Sequence, residues 1–286
     1  MITTIDDRSV LRLVQITLAE DVGSGDITGE SLIGRDRTVS AALKAKQRGV
    51  IAGSVIAGLV FGEIDRSIDV EWRVSEGMIV EAGTVIGVVR GSARSIMTAE
   101  RTALNFLQRM SGVATLTRRY VDAIHGTDAK ILDTRKTIPA WRLLDKYAVK
   151  IGGGRNHRMG LYDMVMIKDN HIAAHGSISG AIQAVRTYFD THGITGIPIE
   201  IETQNIGQVM EVIRIGGVER IMFDNYPIAI IDEAVDIVAG RFETEASGGV
   251  NLETVREIAE TGVDYISVGA ITHSAIALDI SLDVEG

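Results

Sequence analysis

Six short apolar runs, each ending in a polar or glycine tip, constrain this chain more than any other feature. They are KILDTRK (130–136), DMVMIKDNH (163–171), IPIEIET (197–203), ERIMFDN (219–225), FETEASGG (242–249) and DYISVGA (264–270). Their tips hold Arg135, Lys136, Lys168, Glu202, Asp224, Ser247 and Gly269. Helix-like stretches separate most of them. This alternation predicts an α/β chain with a parallel (β/α) barrel whose working residues lie at the C-terminal strand ends. The intervals from Lys168 through Glu202, Asp224 and Ser247 to Gly269 are 34, 22, 23 and 22 residues. One strand, one helix and two turns need roughly that length. The pattern predicts six or seven barrel strands.

The preceding segments read differently. Residues 9–19 put Val10, Leu13, Val14 and Leu18 on one helical face. Residues 38–91 read mainly as short strands and turns. Within them GMIVEAGTVIGVV resembles a biotinyl- or lipoyl-type hairpin but lacks the Lys that would carry a swinging cofactor. A strong helix covers 95–124, interrupted near Ser111–Gly112, and ISLDV (280–284) reads as a strand returning to the small domain.

Composition excludes several classes. The 286 residues suffice for a barrel and a smaller domain. A formal net charge of −9 argues against a nucleic-acid surface, so any anion site must be a local basic pocket. With no Cys, disulfides and thiolate zinc sites are excluded. MITTIDDRSV lacks the basic and apolar regions of a signal peptide, and no apolar run is long enough to span a membrane. A cytoplasmic enzyme is expected.

The tips sort by chemistry. Arg135 supplies a planar fork for carboxylate or phosphate, and Lys136 a compact charge. Three glycines (152–154) followed by Arg155-Asn156-His157-Arg158 bring backbone and cations toward an anion. Lys168 is either a Schiff-base lysine or a carboxylate partner. Glu200 and Glu202 alternate with isoleucine and share a strand face, and Asp224 ends the next strand. Glu202 with Asp224 therefore makes a candidate Mg²⁺ site, or else a pair of structural salt bridges. Ser247, Gly248, Gly249 and Gly269 close late strands, where barrels hold phosphate.

The segments EDVGSGDIT, TAERTALNFLQRMSGVAT, ILDTRKT, KYAVKIGGGRNHRMGLYDMVMIKDNHI, IEIET, MFDN, EASGGV and DYISVGAITHSAIALDISLD together resemble the quinolinate phosphoribosyltransferase family. They span nearly the whole chain in family order. IPAW (138–141) departs from the family's usual Thr-Pro-Gly, and the 22-residue step from Glu202 to Asp224 is one longer than in some members. The resemblance implies an N-terminal α/β sandwich (1–110, with about 275–286 returning to it) and a catalytic barrel (111–274). It implies Mg²⁺-dependent transfer from phosphoribosyl pyrophosphate to quinolinate with loss of CO₂. Arg135, His157, Arg158 and Lys168 would hold quinolinate, joined by Arg101 from the other subunit of a homodimer. Lys136 would contact phosphoribosyl pyrophosphate, Glu202 and Asp224 its ribose and metal, and Ser247, Gly248, Gly249 and Gly269 its 5′-phosphate. The rival expectations are a transferase for nicotinate or another pyridine acid, a Schiff-base lyase using Lys168, and a carrier protein.

Overall fold

The computed structural model describes residues 8–285. The chain forms two compact units. The first contains residues 1–118, 137–153 and 271–286, and the second 119–136 and 154–270.

The first unit begins with α1 (Arg8–Val22), which buries Val10, Val14 and Leu18, and α2 (Ile27–Leu32), capped by the Asp26 side chain. Then come β1 (Thr38–Ala45), β2 (Gly49–Val50), α3 (Ser54–Ile64), β3 (Asp69–Trp72), β4 (Ile79–Val80) and β5 (Val85–Ser92). The long helix α4 (Ala93–Ala123) follows. After β6 (Lys130–Leu132) of the second unit, α5 (Arg142–Ile151) returns to the first. Its last element, β12 (Ile280–Glu285), pairs antiparallel with β1, giving the sheet order β12-β1-β5-β3.

The second unit holds β6 and then β7 (Val165–Ile167), α6 (Asp169–His175), α7 (Ile178–His192), β8 (Ile199–Thr203) and α8 (Ile206–Ile215). It continues through β9 (Arg220–Asp224), α9 (Ile228–Val238), β10 (Glu243–Ser247), α10 (Val255–Glu260) and β11 (Tyr265–Ser267); α11 (Ala270–His273) then leads back into the first unit. All six apolar runs are strands of one parallel sheet, ordered β6-β11-β10-β9-β8-β7. Among the described residues β6 and β7 do not pair with each other. Arg155 instead bridges the free side of β6 at Leu132.

Strand alternation sorts the side chains. Ile199, Ile201, Ile221, Phe223, Ala246 and Ile266 are buried on one face, as are Val209, Val212, Ile231, Ala234, Val238 and Ile258 of the surrounding helices. The other face is unusually polar for a barrel interior. It presents Glu200 and Glu202, then Arg220, Met222 and Asp224, then Glu243, Glu245 and Ser247.

Four expectations need correction. The SVIAGLVF segment is the helix α3, not strand and turn. Ile56, Ala57, Val60 and Phe61 are all buried, and a helix apolar on every side leaves no 3.6-residue pattern to read. The GMIVEAGTVIGVV segment is not a two-stranded hairpin, because β4 pairs with β2 whereas β5 pairs with β1 and β3. Helix α4 runs unbroken through Ser111–Gly112. A Cβ on Gly112 would lie 2.1 Å from the Ile276 carbonyl oxygen, so this glycine serves close packing rather than a helix break. Finally, residues 111–118 and 137–153 pack with the first unit, where 111–274 was expected to be barrel throughout. Asp145 on α5 pairs with Arg109 at 3.2 Å, and Tyr147 hydrogen-bonds Glu76.

Candidate active site

A cavity of about 210 Å³ opens at the C-terminal ends of the parallel strands, lined wholly by residues of the second unit. Four cations reach it: Arg135 and Lys136 after β6, Arg158, and Lys168 at the end of β7. Facing them are Glu202 from β8, Asp224 from β9 and Ser247 from β10. Gly248 and Gly249 follow Ser247 directly, and Gly269 lies two residues beyond the lining residue Ser267. The strand fold thus gathers eight of the predicted residues around one space, counting His157. Arg101 is exposed on α4, in the first unit.

The residues that sequence reading missed are Thr134, Met166, Met222, Glu245 and Ser267. A signal for all five was available. Each stands two residues before a predicted tip, and side chains two apart on a strand share a face.

The electrostatics show what the cavity is built to meet. Burial and the neighbouring Arg135 both lower the pKa of Arg158 from its usual high value. An anion between the two guanidinium groups would relieve that effect on Arg158. Arg158 is held in place by a hydrogen bond from its Nη1 to the Met164 carbonyl at 3.2 Å. Lys168 Nζ pairs with Glu202 Oε2 at 2.9 Å. Burial raises the Glu202 pKa, Lys168 opposes that rise, and Asp224 adds to it. The mutual repulsion of Glu202 and Asp224 marks a place for positive charge.

Below the cavity lies a buried polar stack. His157 Nε2 is 2.9 Å from Glu200 and 3.5 Å from Glu245, both fully buried. Arg220 joins Glu245 at 2.9 Å and stacks on the Tyr265 ring at 4.0 Å. The backbone of His157 is fixed as well, its N–H donating to Asp133, which also holds the Asn156 amide. Burial disfavours a charged His157 ring, but Glu200 and Glu245 outweigh it and push its pKa up to about 9.

The Arg158 N–H donates to His157 Nδ1 at 2.7 Å. That bond needs Nδ1 without a hydrogen and so opposes the full charging of the ring that Glu200 and Glu245 favour; the proton those carboxylates hold is the one on the Nε2 side. Both ring nitrogens are turned toward protein groups, so His157 forms part of the cavity wall through its ring. The ligand atoms of His157, Glu200 and Glu245 lie within 4.8 Å of one another, close enough for a metal. These three are buried and turned toward one another and toward Arg220, which makes them a closed polar stack rather than an open metal site. Glu202 and Asp224, hard oxygen ligands on adjacent strands at the cavity, fit Mg²⁺ better.

Comparison with known proteins agrees with this geometry. Residues 26–111 match the family model for the quinolinate phosphoribosyl transferase N-terminal domain, and 113–283 that for the C-terminal domain. The chain belongs to the quinolinate phosphoribosyltransferase family. It is 48% identical over 288 residues to quinolinate phosphoribosyltransferase [decarboxylating] 1b of Nicotiana tabacum, covering 96% of this chain and 81% of the relative. It is 42% identical to the probable nicotinate-nucleotide pyrophosphorylase [carboxylating] of Bacillus subtilis, covering 96% and 92%. The solved structure of the nicotinate-nucleotide pyrophosphorylase from Francisella tularensis is 40% identical and superposes with a TM-score of 0.91, covering 97% of this chain and 96% of that one.

Proposed function

We propose that this family member transfers phosphoribose from phosphoribosyl pyrophosphate to the ring nitrogen of quinolinate, releasing pyrophosphate and CO₂ and leaving nicotinate mononucleotide. The observation that carries this reading is the cavity itself: four cations, two of them guanidinium groups in mutual repulsion, face a carboxylate pair. A pyridine dicarboxylate together with a polyphosphate matches that charge pattern. A monocarboxylate would leave cations unused.

Arg135, Arg158 and Lys168 would hold the two carboxylates, with His157 beside them in the wall. Lys136 would meet the pyrophosphate end of the donor. Ser247 and the backbone N–H groups of Gly248, Gly249 and Gly269 would take the 5′-phosphate. Glu202 and Asp224 would face the ribose as positive charge develops on it during transfer. They are also the residues that would hold Mg²⁺, which when bound neutralises charge on the departing pyrophosphate. Once the ring nitrogen carries the ribose, its positive charge stabilises the electron pair left on C2 as the adjacent carboxylate departs as CO₂, and C2 then takes up a proton from water. Arg101, exposed on α4, is proposed to reach the site of a partner subunit in a homodimer.

The test mixes protein, Mg²⁺ and phosphoribosyl pyrophosphate with either quinolinate labelled in its C2 carboxyl group or nicotinate. Labelled CO₂ and nicotinate mononucleotide from quinolinate alone is the expected result. Product from nicotinate but not from quinolinate would overturn it.

A further inference from the structure

Asp224 is half-exposed at a strand tip, where an isolated carboxylate samples several rotamers. Here its neighbour holds it. Asn225 has φ +56°, in the left-handed region that Asn tolerates better than most residues. This places the Asn225 amide Nδ2 2.8 Å from Asp224 Oδ2. The acceptor is a carboxylate, so the NH₂ end of the amide must be the one facing it.

The same residue ties two strand tips together. The Asn225 N–H donates to the Ser247 carbonyl at 2.8 Å, just past the register pair Asp224–Ser247. Its side chain also fills the space over the next residue of the turn. A Cβ on Gly248, where φ is +97°, would lie 2.1 Å from Asn225 Oδ1 and 2.9 Å from its backbone nitrogen. Gly248 is thus required by Asn225, besides offering its own N–H.

We infer that Asn225 is a positioning residue that aims the Asp224 carboxylate and locks it to the Ser247–Gly249 turn. A ligand spanning both, a phosphorylated sugar with a divalent cation, then meets groups already set relative to each other. The inference rests on the reading of the site given under Proposed function. Asn225 acts through Asp224, and the dicarboxylate cations lie on other strands. Losing its side chain therefore separates the two substrates.

The discriminating variant is Asn225→Gly. Glycine adopts the left-handed conformation freely and keeps the N–H to Ser247, so the variant deletes the bond to Asp224 and the side chain over Gly248 but leaves the backbone tie intact. Calorimetry measures binding of phosphoribosyl pyrophosphate with Mg²⁺, and of quinolinate, to the full chain. One hydrogen bond to a charged group corresponds to about tenfold weaker phosphoribosyl pyrophosphate binding, with quinolinate affinity unchanged. Asn225→Asp, which keeps the backbone preference but replaces the donor with a second carboxylate, should fail to rescue. Unchanged binding of both ligands by Asn225→Gly would overturn the inference and leave the reading of the site standing. Equal loss of both ligands would also overturn it, since that marks a merely structural residue. No phosphoribosyl pyrophosphate binding by the unaltered protein would remove both.

Discussion

Replacing Arg220 with Met removes the one guanidinium in the buried stack beneath the cavity. The structure sets the expected cost. Arg220 is 8% exposed and its Nη1 lies 2.9 Å from Glu245, which is fully buried. Its second partner, Glu243, is about half exposed, so that pair contributes no more than about 1 kcal/mol. The contact with the Tyr265 ring adds roughly 1 kcal/mol. The dominant effect is the carboxylate left behind. Breaking a buried pair by removing one partner costs about 3–5 kcal/mol, because Glu245 would keep only the Ser267 hydroxyl and His157 to offset its charge. Methionine fills much of the lost volume, so a cavity contributes little. We expect a loss of about 5 kcal/mol in urea unfolding followed by far-UV circular dichroism. Tryptophan emission would report the wrong region, since Trp72 and Trp141 both belong to the first unit. The double variant Arg220→Met/Glu245→Gln removes the orphaned charge and should recover roughly half the loss. A single-variant cost below about 1 kcal/mol, or a double variant no more stable than the single, would refute the reasoning.

Other outcomes follow from the same geometry. His157 has its folded-state pKa raised from 6.5 to about 9, so its contribution is fully present below pH 6.5 and is lost as pH rises through 9. The melting-temperature gap between the unaltered protein and His157→Gln should therefore be widest near pH 6 and close above pH 9. A gap that widened with pH would contradict this sign. Arg135→Ala or Arg158→Ala should weaken quinolinate binding far more than phosphoribosyl pyrophosphate binding, measured by calorimetry; equal losses would sink the assignment. Lys168→Met should likewise spare phosphoribosyl pyrophosphate, and borohydride with a carbonyl substrate should trap nothing on Lys168. Gly112→Ala forces a Cβ against the Ile276 carbonyl and should cost about 2 kcal/mol in thermal unfolding, although alanine is the better helix former.

The barrel was legible because each strand carries its own evidence: an apolar run, then an abrupt polar tip. The same grammar gave Lys168, Glu202, Asp224 and Ser247, which the strands bring to one cavity. It failed where information is not local. Helix α3 hides its period by being apolar all round. The place of α5 depends on Arg109–Asp145 and Tyr147–Glu76, pairs 36 and 71 residues apart that no window contains. Glu200 was visible as a second inward carboxylate on β8. That Arg220 and His157 lie in the same stack was not visible, because the three come from different segments.

The pairing of β12 with β1 has a consequence for how the chain is made. Ser40 finds its partner at Glu285, so one edge of β1 stays bare until residue 285, 245 residues later, has been synthesised. Closing so long a loop is entropically slow, and a bare strand edge is open to pairing with other chains in the meantime. The barrel's six strands are all complete by residue 267, before β12 is synthesised. A nascent chain therefore has all the barrel strands while the sheet of the first unit still lacks its outer strand. Chaperone dependence and aggregation on overexpression should trace to that edge rather than to the barrel.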